Sequence, residues 1–420
     1  VAVIRLFCLV FLSINFAVAD SKNEFTQILS SMLQQDPQFK EIDFQTPYFE
    51  TQYRRDFSRL ILPTVALSFG QFEQHSPATQ IFSQEKFQTG SLTAALDVFN
   101  FGRDWNLFRS SSIELKAQEF RVWSKLMERE IEIGNLLLTY MREANNLRIL
   151  KSIVELKEKA LKISVDRFKN GALSENDLNK VRLDVSNAKG EYLIVFQQIN
   201  DLEARIKAFG IDSPPVTYPW EKGFTKEKIQ KLLAHQTPAE NLPQYQEVDL
   251  QYEALDHQKK SALGNMFGNV QLTFTRSYIE FDSRDQWEWR AGIVYTLPLF
   301  DQFRQATEYQ SAKARLRASE VVKRFRKNLV QTSQIANKQN LQVAFENFRE
   351  RKDALKVSGQ LYSDSVRQFN RGQLSVNELL VDQDRLLRTE QIANQSLYQM
   401  HLAVISFCHA QGRPVIKSCF

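Results

Sequence analysis

Apolar residues recur along the chain at two spacings, and the order in which those spacings alternate is written twice. Phe25 to Phe57 has scattered apolar positions in a polar background and is expected to be helical. From Leu60 through Pro63 to Phe72 the spacing drops to two, with Val65, Leu67 and Phe69 alternating with Ala66, Ser68 and Gly70, the signature of a half-covered strand. Gly90 to Phe99 repeats it, with Leu92, Ala94, Leu96 and Val98 on one face and Thr93, Ala95 and Asp97 on the other, which predicts a hairpin. Arg103 to Phe168 then contains no proline and one glycine, Gly134, so one uninterrupted helix is allowed. Its end carries a strict heptad, Tyr140, Leu147, Val154, Leu161 and Phe168, and a second heptad follows at Leu178, Val185, Tyr192, Ile199 and Ile206. Seven-residue spacing keeps one seam against a partner helix.

The second half repeats the plan after a proline-rich joint that includes Pro214, Pro215 and Pro219 and a short amphipathic piece from Lys226 to Leu233. Gln244 to Leu263 reads as helix. Val270, Leu272 and Phe274, then Trp287, Trp289, Ala291, Ile293 and Tyr295, alternate as a second hairpin. Heptads return at Leu341, Phe348, Leu355, Tyr362 and Phe369, and at Leu379, Leu386, Ala393, Met400 and Phe407. Between each heptad pair lies a shared motif: Phe168 to Leu178 reads FKNGALSENDL, and Phe369 to Leu379 reads FNRGQLSVNEL. Gly171 and Gly372 are suited to end a helix in the left-handed region, and Ser174 and Ser375 to start the next as N-caps. Ser375 with Glu378 spells a capping box, of which Ser174 with Asp177 is a weaker copy. Turns, seams and hairpin ends all share one offset of 201 positions (171 to 372), so the chain reads as a duplication, with residues 20–213 as the first structural repeat and 214–420 as the second.

Composition agrees with few, long elements. The 420 residues include only 14 Gly and 11 Pro, and a quarter are charged. The formal charge of +5 is spread along the helices and gives no nucleic-acid footprint. Residues 1–19 carry one charge, Arg5, then the apolar run Leu6 to Phe16, then Ala17-Val18-Ala19; they are expected to be a secretory signal peptide with a mature start at Asp20. The run is short for the alternative, an uncleaved membrane anchor. Cys408 and Cys419 either pair in an oxidising compartment or remain a buried thiol and a tail thiol. The five histidines lack metal-ligand spacing, no cofactor motif is present, and no catalytic constellation can be nominated, so a non-enzyme is expected.

A helix of some 65 residues is on the order of 100 Å long. Strands of roughly 9–11 residues with one apolar face suit a membrane barrel, which must close because lipid satisfies no hydrogen bonds. Four strands cannot close one; several copies of the chain can.

The two-repeat plan, Leu62-Pro63 leading into the first strand, the segment Tyr295-Thr296-Leu297-Pro298-Leu299-Phe300 and both Gly-x-x-Ser tips resemble the TolC-like outer membrane efflux proteins, over essentially all of residues 20–420. The resemblance implies a mainly α fold with a β-barrel contribution: long antiparallel coiled-coil helices forming a periplasmic tube, and four strands per chain completing a twelve-stranded barrel in a homotrimer. It implies an outer membrane channel of a Gram-negative bacterium, passively conducting cargo for an inner membrane pump or ABC exporter reached through a periplasmic adaptor, the membrane fusion protein. Phe168, Gly171, Leu173, Ser174, Phe369, Gly372, Leu374 and Ser375 would then form adaptor-docking tips, although structurally they need only make turns. Asp177, Glu378 and Asp382 either line a periplasmic aperture or serve as caps and solvated acids. Trp287, Trp289 and Tyr295 read as membrane-interface aromatics in contact with outer membrane lipid, or as soluble-sheet packing. Two departures stand out. Asp301-Gln302-Phe303 replaces a glycine pair common in the family, and Phe369, Leu374 and Val381 occupy positions where the best-known member has latch residues and a second acid. A periplasmic coiled-coil scaffold without channel activity is the competing reading, and it leaves both amphipathic hairpins unexplained.

Overall fold

The computed structural model describes residues 22–75, 84–212, 214, 225–234, 236–281, 284–371 and 373–414. The expected signal peptide, Gly372 and Cys419 lie outside these residues. The chain divides into two compact units, and each sequence repeat contributes to both: one comprises residues 1–40, 126–237 and 333–420, the other 41–125 and 238–332.

The first unit is helical. Helix α1 (Lys22–Gln35) buries Phe25, Leu29, Met32 and Leu33. The expected single helix from Phe25 to Phe57 is broken after Gln35, because Asp36 accepts from the Gln38 amide and Pro37 starts α2 (Pro37–Ile61) with no amide to give. Asp36 is 1% exposed and holds Arg129 through two bonds of 2.6 and 3.0 Å. Helix α3 (Arg103–Lys169) turns into α4 (Glu175–Lys207). The heptad positions Leu178, Val185, Ile199 and Ile206 of α4 are buried, and the Tyr140 hydroxyl donates to Glu203 at 3.1 Å. Helices α7 (Arg304–Asn370) and α8 (Val376–Ala410) begin 201 residues after α3 and α4. Helix α8 packs on α3: Arg142 lies over the Tyr398 ring at 4.6 Å, and the Asn394 amide donates to the Arg142 carbonyl. Met400, Val404, Ile405 and Phe407 fill the same core. The short helix α5 (Lys226–Ala234) adds Ile229.

The second unit contains one four-stranded antiparallel sheet in the order β1 (Thr64–His75), β2 (Gln84–Phe99), β3 (Asn269–Phe281), β4 (Arg284–Thr296). Both hairpins therefore join through β2 and β3, and among the described residues β1 and β4 are open edges. Leu60 and Ile61, expected at the start of the first strand, complete α2 instead, because Pro63 bars the helix from continuing. Helix α6 (Pro243–Asn265) packs on α3, with Arg121 paired to Glu247 at 2.9 Å and His257 bonded to Asn106 at 2.9 Å.

Candidate functional site

The register of the sheet sorts its side chains onto two chemically different faces. Val65, Leu67 and Phe69 of β1 oppose Ala94, Leu92 and Gly90 of β2. Ala94 and Leu96 oppose Phe274 and Leu272, which oppose Ala291 and Ile293 of β4. Trp287, Trp289 and Tyr295 share this face, opposite Tyr278, Arg276 and Val270. Nothing among the described residues covers it: Phe69 is 79% exposed, Trp289 72% and Ile293 75%. The opposite face is lined by small and polar groups that bond to one another. The Ser68 and Ser91 hydroxyls lie 2.7 Å apart, Thr93 and Thr275 3.3 Å, and Arg290 pairs with Glu288 at 3.4 Å. An exposed apolar face of this extent beside a polar one marks an interaction surface.

Where strands meet helices, sequence reasoning missed a buried polar network. Asp104, 2% exposed, takes Arg103 at 2.9 Å and Arg59 at 3.4 Å, while Asp97 takes Arg103 and the Asn269 amide at 2.9 and 3.0 Å. The sequence signal was Asp97 itself, a charge at the end of an otherwise uncharged alternating run. The two strand-to-helix junctions superimpose in conformation. Phe101 and Gly102 have φ of 51° and 79°; 201 residues on, Gln302 and Phe303 have 58° and 64°. The departure from the glycine pair thus leaves the backbone path intact and places two non-glycine residues in the left-handed region. Asp301 compensates by accepting from the Gln305 amide at 2.9 Å, as Asn100 accepts from Asp104.

Among the described residues, the helical tips follow the motif. Gly171 has φ 71°, the Ala172 amide reaches the Arg167 carbonyl at 2.8 Å and the Gly171 amide reaches Phe168 at 3.0 Å, a Schellman ending. In the second tip Gln373 reaches Gln368 at 2.9 Å. Ser375 and Glu378 form the full reciprocal box, whereas the Ser174 backbone receives no such return bond among the described residues. Phe168 is exposed, and Leu173, Leu374 and Phe369 are half-buried. The three aperture candidates each bond within their own tip. Asp177 takes Lys180 and Ser174, Glu378 takes Ser375, and Asp382 takes the Ser365 hydroxyl at 2.6 Å and Arg385 at 2.9 Å. Bonding to Lys180 and Ser174 holds the Asp177 carboxyl below its usual range, and bonding to Ser375 does the same for Glu378.

Cys408 is buried and disulfide-bonded. Among the described residues no group of His, Cys, Asp and Glu is arranged to hold a metal, and no helix is long and apolar enough to cross a membrane.

No protein-family model matches the sequence, and no curated protein matches it. Solved structures do. The outer membrane protein VceC from Vibrio cholerae superimposes with a TM-score of 0.75 at 16% identity, covering 93% of this chain and 96% of its own. The CmeC outer membrane channel of Campylobacter jejuni gives 0.78 at 14%, covering 93% and 85%, and the open state of the Neisseria gonorrhoeae MtrE outer membrane channel gives 0.69 at 14%, covering 93% and 89%. Over nearly its whole length, the chain has the fold of the TolC-like outer membrane efflux channels.

Proposed function

We propose that this protein is an outer membrane channel of a tripartite efflux or type I secretion system, working as a homotrimer in the outer membrane of a Gram-negative bacterium. The two-faced sheet with both edges open carries this reading. A sheet in lipid must close, since unpaired edge amides and carbonyls find no partner there, and its outer face must be apolar while its inner face borders water. The β4 edge of one copy can pair with the β1 edge of the next, so three copies make twelve strands with the serine and threonine face lining the lumen. Exposed apolar side chains on the long helices, such as Leu193, Ile194, Val321 and Phe325, add surface for the same contacts. Cargo would pass without chemistry at the channel, energised by an inner membrane pump through an adaptor seated on the tips. A soluble scaffold accounts for the helices but gives the apolar sheet face nothing to meet.

Conductance in planar bilayers tests the proposal. Purified protein of trimeric mass is expected to give discrete cation-passing steps; a stable monomer without conductance refutes it.

A further inference from the structure

Among the described side chains of the apolar sheet face, one is charged. Arg276 of β3 stands in register with Leu92 of β2 and Trp289 of β4. Its guanidinium does not settle across from Trp289. It leans one rung toward the hairpin turns and lies over the Trp287 ring, 4.8 Å from the centroid, and that ring packs on Tyr278 at 5.0 Å. Among the described residues Arg276 has no ion-pair partner; Glu288, its neighbour on β4, faces the other side and pairs with Arg290.

The height of Arg276 on the face gives its lean a meaning. From the rung of Val270 and Tyr295 to the rung of Tyr278 and Trp287 the apolar band runs eight residue steps. At about 3.3 Å each that is roughly 27 Å along the strand, or about 20 Å across a bilayer at a tilt near 40°, close to the height of a barrel's apolar band. The next rung on this face sets Gln71, Gln88, Glu280 and Asp285 in register, with Gln71 and Gln88 exposed, so the band stops there. Arg276 thus sits just inside the upper border and points its head group out of the band. A cation facing acyl chains is costly at the midplane and nearly free at the border, where a long side chain reaches the head groups. With its central carbon over the indole ring, the guanidinium keeps a planar fork of donors that matches two oxygens of a phosphate.

We infer that Arg276, backed by Trp287 and Tyr278, binds the phosphate of an anionic lipid headgroup in the leaflet at the hairpin end of the barrel. This rests on the channel reading above. It gives the chain a specific lipid contact in addition to the generic one that its apolar face implies.

The experiment uses the full chain in maltoside micelles, with bisphosphorylated lipid A or its dephosphorylated form added and retained lipid counted by native mass spectrometry. Wild type is expected to retain the phosphorylated form preferentially, Arg276→Gln to lose that preference by about tenfold, and Arg276→Lys to keep part of it as a point charge. Arg290→Gln, on the other face, is expected to behave as wild type. Equal retention by wild type and Arg276→Gln overturns the inference, as does displacement of the lipid by excess inorganic phosphate, which would mark a free-anion site. Bilayer conductance separates the two claims: if Arg276→Gln conducts normally yet retains lipid A unchanged, only the lipid site falls. If wild type neither inserts nor conducts, both fall.

Discussion

Replacing Gln302 with glycine should stabilise the protein, while the same change at its repeat equivalent, Phe101, should destabilise it. Both residues occupy the left-handed region, at φ 58° and 51°. A non-glycine residue there costs about 1–2 kcal/mol. Glycine returns about 0.5–1 kcal/mol of that as extra freedom in the unfolded chain. Gln302 is exposed and makes no side-chain bond among the described residues, so Gln302→Gly should gain about 0.5–1 kcal/mol. Phe101 differs because its ring packs against Phe99 at 4.9 Å and Phe267 at 5.5 Å. Each aromatic pair contributes about 0.5–1.5 kcal/mol beyond burial, and two pairs outweigh the relieved strain, so Phe101→Gly should lose about 1 kcal/mol net. Reversible urea titration in one detergent, with the slope held fixed, reads both differences from the midpoints. A destabilised Gln302→Gly, or two variants that shift the same way by the same amount, would show that the junction stores no conformational strain.

Two further outcomes follow from buried charge in the helical unit. Asp36→Ala leaves Arg129, only 14% exposed, with Glu132 as its remaining partner, and should cost about 2–3 kcal/mol in the same titration; an effect under about 1 kcal/mol would mean that water and Glu132 replace the carboxylate. His401 is fully buried, and desolvation, only partly offset by its bond to the Leu397 carbonyl, lowers its pKa from 6.5 to about 4. The folded state resists a proton that the unfolded state accepts, so its contribution is complete above pH 6.5 and is lost as pH falls toward 4, to a total of about 3 kcal/mol. Burial lowers His409 in the same direction. His401→Leu should flatten this part of the stability profile, and an unchanged slope would assign it to other groups.

The helical part of the fold was legible because coiled helices write their contacts at a spacing of seven: that spacing named the buried Leu178, Val185, Ile199 and Ile206, while Leu147, Val154, Leu161 and Leu355, which it also named, are only half-buried within one chain and Phe168 is exposed. The tips were legible because a turn between helices is local chemistry, and Gly171, Ser174 and Ser375 act within a few residues of themselves. Strand alternation named the faces, and Trp287, Trp289 and Tyr295 do share the apolar one. What alternation could not name was the pairing of β2 with β3, which turns two hairpins into one sheet and depends on residues some 180 positions apart, such as Thr93 and Thr275. The network of Asp97, Arg103, Asp104 and Arg59 was hidden because its side chains meet only once the turn from strand to helix is made and Arg59 reaches in from α2. The positive φ at Gln302 was hidden because glycine, the usual sign of that conformation, is absent there. The break at Asp36 was present in the sequence as Asp-Pro and was outweighed by the apolar positions on either side.

On the channel reading, one sheet face meets lipid and the other water. Nitroxide labels on Leu67→Cys and Ser68→Cys, neighbours on β1 that point to opposite faces, test it in reconstituted bilayers. The label at 67 is expected to relax with lipid-soluble oxygen and to ignore an aqueous nickel chelate, and the label at 68 to show the reverse. Equal nickel accessibility at both positions would place the whole sheet in water and rule out the channel reading.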